Sequence, residues 1–163
     1  MKSKKSRKKK VLIGPKNNQI DFFRVLWAKE NDDEVQGLTT LMIKNIPIRI
    51  LQTDMLKLID RNFKGKYNYF YLPMDLKTQC SVGFAFINFV DHLFILDFFL
   101  EFQCLKWSET LPNCNSNKHI DIVYANMQGI DDIKKELLNK NIMKKNDSSI
   151  KPIIIDDLEP NNE

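Results

Sequence analysis

The stretch Ser81-Val82-Gly83-Phe84-Ala85-Phe86-Ile87-Asn88-Phe89 restricts the fold of this chain more than any other. Its period of two is that of a strand with two unlike faces. If Ala85, Ile87 and Phe89 turn into a core, Phe84 and Phe86 share the opposite face and stand on the surface of a sheet. Two large rings held in water two positions apart are costly unless something flat stacks on them, and nucleic-acid bases are flat.

The segments on either side supply the rest of such a sheet. Thr39 to Ile46 reads as a first strand with Leu41 and Ile43 inward and Met42 and Lys44 outward, stopped by Pro47. Thr53 is placed to cap a helix in which Leu56, Ile59 and Phe63 recur at helical spacing before Gly65. Lys66 to Leu72 alternates Phe70 and Leu72 with Tyr69 and Tyr71, so one of its faces displays rings. A polar connection from Pro73 leads into the central strand. Asp91 then caps a second helix whose Ile95, Phe98, Phe99 and Phe102 form a core stripe. After a long polar loop from Lys106 to Lys118 containing Trp107, a packing anchor, His119 to Ala125 forms a fourth strand, with Ile120 and Ile122 inward and Asp121 and Val123 outward. A third helix is expected over Asp131 to Lys140, with Ile133, Leu137 and Leu138 on its apolar edge. The resulting fold class is α+β, a ferredoxin-like βαββαβ sandwich with an additional C-terminal helix, whose antiparallel sheet has helices on one face and leaves the other open for a ligand.

Charge divides the chain into parts. Met1 to Lys10 holds seven Lys or Arg and no acid, leaving 18 basic against 21 acidic side chains in the remainder. Residues 1–18 are expected to form a disordered basic arm and 19–38 an extension packed on the domain. The folded module is placed at 39–145, and 146–163 is read as an acidic tail in which Ile153-Ile154-Ile155 is too apolar to remain in water and docks. That tail is a candidate to lie against Lys44 or the basic arm and compete with RNA. No run of about eighteen apolar residues is present, so the chain is expected to be soluble and intracellular with no membrane partner, and the arm favours the nucleus. Cys80, Cys104 and Cys114 have no disulfide or zinc-ligand spacing, and there is no carboxylate cluster or phosphate-gripping Gly loop. No metal, cofactor or catalytic activity is expected.

From Val82 to Phe89 the chain meets the basic-Gly-aromatic-Gly/Ala-Phe-Val-any-aromatic ribonucleoprotein pattern except at Val82, in place of the basic residue, and at a conservative Ile87. With Thr39 to Pro47, Tyr69-Phe70-Tyr71-Leu72-Pro73, Lys106-Trp107 and Tyr124-Ala125 followed by Gln128-Gly129, in that order, the chain resembles the C-terminal RNA-recognition motif of the Mei-two-like meiosis regulators over roughly residues 19 to 155. The resemblance implies an RNA-recognition-motif fold and single-stranded RNA as partner, with a regulatory role in RNA metabolism, meiosis or development. It places the short ribonucleoprotein hexamer at Leu41 to Ile46, with Met42 where the general pattern has a ring, and Phe84 and Phe86 at the two stacking positions. Cys104 stands where a Gly usually precedes the Lys-Trp pair.

The RNA-binding surface expected from this reading has Phe84 and Phe86 stacking on consecutive bases and Tyr69 and Tyr71 extending the platform. Met42, Lys44, Asp121 and Val123 complete the outward face, with Lys44 meeting a phosphate or base edge. The protein is expected to act as a monomer. The alternative is a protein-protein interaction module in which the third helix covers the sheet and a protein is the partner.

Overall fold

The structure, a computed structural model, describes residues 18–21, 26, 30, 38–138 and 140–156. The basic arm, Phe22 to Val25, Trp27 and the tail beyond Asp156 lie outside them.

The strands are β1 (Thr40–Lys44), β2 (Tyr67–Tyr71), β3 (Met74–Asp75), β4 (Cys80–Ser81), β5 (Ala85–Phe89), β6 (Asp121–Tyr124) and β7 (Ile153–Ile154). The helices are α1 (Gln52–Phe63), α2 (Leu93–Phe102), the single turn α3 (Trp107–Thr110) and α4 (Ile130–Leu137). Two 3-10 turns, Asn141–Lys144 and Ser148–Ile150, join α4 to β7. The main sheet is antiparallel with spatial order β6-β1-β5-β2-β7. The four strands expected from the sequence run side by side as β6-β1-β5-β2, and a further strand beside β2 makes the sheet five strands rather than four. Its fifth is the Ile run, which pairs with β2 through Tyr69 opposite Ile154 and Phe70 opposite Ile153.

Alternation decides the two faces. Leu41, Ile43, Phe70, Ala85, Ile87 and Ile122 point to the helical side and are buried with Met55, Ile59 and Phe63 of α1 and Ile95, Phe98 and Phe102 of α2. Phe63, Phe89 and Phe98 meet edge to face, with centroids 5.1–6.0 Å apart. That geometry adds to what their burial alone contributes. Strand β2 divides its four rings two to a side by means of a bulge. Tyr67 is opposite Phe89 and Tyr69 is opposite Asn88, so Asn68 is the extra residue and the parity reverses there. Tyr67 therefore joins the helical-side core, its hydroxyl donating to Asp60 at 2.6 Å, while Tyr69 stands on the other face.

Three local expectations are corrected. The N-cap of α1 is Leu51, not Thr53, because the Asp54 carboxylate accepts from the Leu51 amide at 3.0 Å and sets the first turn two residues earlier. The connection after Pro73 contains the β3–β4 hairpin, and the polar loop after Lys106 contains α3, whose Trp107 is 0% exposed. Both are too short to give a periodic signal, the hairpin strands being two residues each and α3 four. At the close of α2, Cys104 has φ 66° and donates its amide to the Ile120 carbonyl at 3.0 Å. This left-handed backbone suits glycine and costs a side-chain-bearing residue roughly 1–2 kcal/mol, partly offset by the extra chain entropy that glycine loses on folding. Cys104→Gly is therefore expected to stabilise the domain by about 0.5–1 kcal/mol, seen as a higher urea midpoint at unchanged slope.

Candidate nucleic-acid interface

The sheet face away from α1 and α2 is laid out in rows by the strand register. In the middle row Val123 stands opposite Met42, Met42 opposite Phe86, and Phe86 opposite Tyr71, so four side chains cross the sheet from β6 to β2. All four are partly exposed. On one side of that row Lys44 faces Asp121 across the strands, with their charged groups 3.6 Å apart. Phe84, just before β5, lies on the same side of the row and meets Phe86 edge to face, with centroids 5.6 Å apart and planes at 74°. Gly83 has φ 94° and accepts the Ile46 amide at 2.9 Å, which brings the chain into β5 with Phe84 on this face.

On the other side of the middle row is a polar row that the sequence did not disclose. Thr40 faces Asn88, Asn88 faces Tyr69, and Tyr69 faces Ile154. Asn88 Oδ1 accepts from the hydroxyls of Thr39 and Thr40, both at 2.7 Å, and its Nδ2 donates to Asn68 Oδ1 at 2.8 Å. Gln128 Oε1 accepts the amides of Thr39 and Thr40, and its Nε2 donates to the carbonyls of Thr40 and Ala125, over distances of 2.8–3.0 Å. The Gly129 amide then donates to Thr40 Oγ1 at 3.0 Å, and the positive φ of Gly129, 88°, turns the chain into α4.

So directed, α4 lies on the ligand face. Ile133 and Leu137 bury Tyr69 to 5% exposure, with Ile130, Tyr71, Phe86 and Ile154 packed around them. Burial raises the Tyr69 phenol well above its ordinary value, with the neighbouring Tyr71 adding to the shift. The platform expected from the sequence is corrected here: Tyr69 is covered and only Tyr71 of the pair remains partly open. The apolar stripe of α4 is Ile130, Ile133 and Leu137, whereas Leu138, assigned to that edge from sequence, is exposed. The open sheet is likewise narrower than expected. Nor does α4 seal the face as the protein-interaction alternative pictured, since Phe84, Phe86, Met42, Lys44, Asp121, Val123 and Tyr71 all keep partial exposure.

Both margins of the four-strand set β6-β1-β5-β2 are occupied. Gln19 bridges to Val123 at the β6 side, and β7 pairs with β2 at the other. Buried Gln52 of α1 holds the returning chain, donating to the Lys151 carbonyl at 2.7 Å while accepting the Leu72 amide at 2.9 Å. Asp156, the first acid after the Ile run, pairs with Lys134 of α4 rather than with Lys44. Among the described residues no group of three or more His, Cys, Asp or Glu is arranged to hold a metal, and no helix is long and apolar enough to cross a membrane.

An antiparallel sheet in the order β6-β1-β5-β2 with two helices behind and rings in front defines the RNA-recognition-motif class of domain. Residues 38–147 match the family described as RNA recognition motif 2, and the chain belongs to that family. Among curated proteins it is 35% identical over 138 residues to Protein MEI2-like 5 of Oryza sativa subsp. japonica, covering 85% of this chain and 16% of that one. It is 38% identical over 143 residues to Protein MEI2-like 1 of Arabidopsis thaliana, covering 88% of this chain and 14% of that one. The chain thus spans about one sixth of the length of such relatives. Of solved structures, the second RRM domain of yeast poly(U)-binding protein covers 56% of this chain and 99% of its own at 13% identity and TM-score 0.43, too distant to carry an argument.

Two outcomes follow from the polar row and the ring it helps to cover. Gln128→Ala leaves the Thr39 and Thr40 amides and the Ala125 carbonyl without their partner, while the Thr40 carbonyl keeps the Ala125 amide at 3.0 Å, and is expected to cost about 2–4 kcal/mol in a urea titration. Because the buried Tyr69 keeps its proton at pH values where the unfolded chain has lost it, folding stability is expected to fall as pH rises past the ordinary tyrosine range near 10. Tyr69→Phe should make that decline shallower, read from urea midpoints measured on either side of it.

Proposed function

We propose that this domain binds single-stranded RNA on the uncovered part of its sheet, with Phe84 and Phe86 as the principal contacts. The observation that carries the reading is the pair of partly exposed rings at the centre of a face otherwise lined by Met42, Val123 and Tyr71. Rings at 74° to one another cannot both lie parallel to one stack of bases. One therefore takes a base face to face while the other turns its edge toward it or toward the sugar, in place of the two parallel stacks expected from the sequence. Met42 and Tyr71 flank the site on neighbouring strands, and Val123 extends it toward β6. Lys44 and Asp121 neutralise one another and act as a polar border able to read base edges.

Membership of the RNA recognition motif 2 family and the likeness to MEI2-like proteins support RNA as the ligand. A regulatory role in meiosis or development, monomeric action, and nuclear location through the basic arm belong to the same proposal. Each ring truncation, Phe84→Ala or Phe86→Ala, is expected to weaken binding of a short single-stranded RNA by about 1–3 kcal/mol. With a parent dissociation constant on the order of micromolar, fluorescence anisotropy resolves that change. A double variant that binds as tightly as the parent would exclude stacking as the mechanism.

A further inference from the structure

The apolar and aromatic middle row contains no cation, and the one lysine beside it, Lys44, already faces a carboxylate 3.6 Å away. A nucleic-acid site still has to meet the charge of the phosphates its bases bring with them. The chain around α4 has the required asymmetry. Its N-terminal end, with Asp131 and Asp132, borders a groove shared with Asn68 and Asn88 and repels phosphate. From Lys134 to Lys145 there are five lysines against the single acid Glu136.

We propose, building on the RNA-binding reading above, that Lys140, Lys144 and Lys145 form the phosphate-binding margin of the site, taking the RNA backbone as it leaves the middle row beyond Tyr71. Lys140 lies where the row ends: its amide donates at 3.1 Å to the carbonyl of Leu137, which is buried with Tyr69 in the cluster that Tyr71 packs against, and its ammonium opposes the rise that burial gives the Tyr71 phenol. Its partner in the described structure is Glu136, 3.0 Å away in an exposed pair with 54% of the lysine side chain accessible. Exposed pairs of this kind contribute little, so a phosphate displaces the carboxylate readily. Lys144 and Lys145 follow on the exposed 3-10 turn and its cap, and neither makes an ion pair among the described residues. Base contacts on the sheet and backbone contacts on the returning chain would thus come from different parts of the sequence. Stacking holds the unpaired bases, and the lysines fix the direction in which the strand runs off the sheet.

The test uses the full chain and a labelled single-stranded RNA of randomised sequence, titrated at several salt concentrations. Replacing Lys140, Lys144 and Lys145 by Gln is expected to make the slope of log affinity against log salt shallower by about 2, since each phosphate contact to a single strand contributes about 0.7. Replacing all three by Arg should keep the parental slope. Neutralising Lys57, Arg61 and Lys64, exposed on and just after α1, should leave the slope unchanged, and circular dichroism melting checks that every variant is folded. An unchanged slope in the first variant, or equal losses in the first and the α1 variants, would overturn the assignment; if Phe84→Ala still weakens binding, the stacking reading survives it. A parent chain that does not bind the RNA would overturn both.

Discussion

The amide of Gln128 is the point on which the ligand face depends. Its two ends satisfy the amides of Thr39 and Thr40 and the carbonyls of Thr40 and Ala125, at the place where the chain leaves β6 and turns back across the sheet. The two amides and the Ala125 carbonyl sit where a sheet margin would otherwise need water or another strand, while the Thr40 carbonyl also accepts the Ala125 amide at 3.0 Å. Because Gly129 then donates to the hydroxyl of Thr40, the start of α4 is tied to the same residue that Asn88 holds from β5. A helix pinned at its first residue to one end of the sheet can cover only the row nearest that end. Tyr69 is lost to the ligand and Phe86 is left at the boundary.

The C-terminal chain completes this arrangement from the opposite side. Having crossed the face as α4, it returns over Gln52 and becomes β7, whose pairing with β2 covers the edge that a four-stranded sheet would leave open. At the other margin, Gln19 bridges to Val123 and the Tyr124 amide donates to the Asn18 carbonyl at 2.8 Å. The flanking segments therefore restrict the way a long ligand can approach. It must come across the face, through the gap between α4 and the Lys44–Asp121 border, rather than by adding a strand to an edge.

The framework was legible in the sequence because it rests on periodicities that survive local accidents. The two-residue repeat of Leu41, Ile43, Ala85 and Ile87, and the helical stripe of Ile95, Phe98 and Phe102, each point a whole element at one core, and the ferredoxin-like order of strands and helices follows from them. What was not legible depends on single residues and on distant pairing. Nothing around Asn68 announces a bulge, yet that bulge places Tyr67 in the core and Tyr69 under α4. The 130, 133, 137 spacing could have identified the buried stripe of α4 in place of Leu138, but only register tells which row of the sheet the stripe meets. The Ile run signalled burial without a partner, since edge pairing between residues 69 and 154 leaves no trace in either segment alone.

Electrostatics bears on the kind of recognition this face can perform. A surface whose one described sheet-borne lysine is balanced by Asp121 gains little from counterion release, so the RNA affinity proposed for the face itself would come from ring contact and from base edges. Base-edge contacts depend on which base is present and stacking on whether a base is unpaired, whereas phosphate attraction is the same for every sequence. Covering Tyr69 reduces the number of rings available and shortens the run of bases that can be held. On the proposed reading, the consequence would be a small site that selects unpaired bases, with nonspecific attraction left to cations outside the sheet.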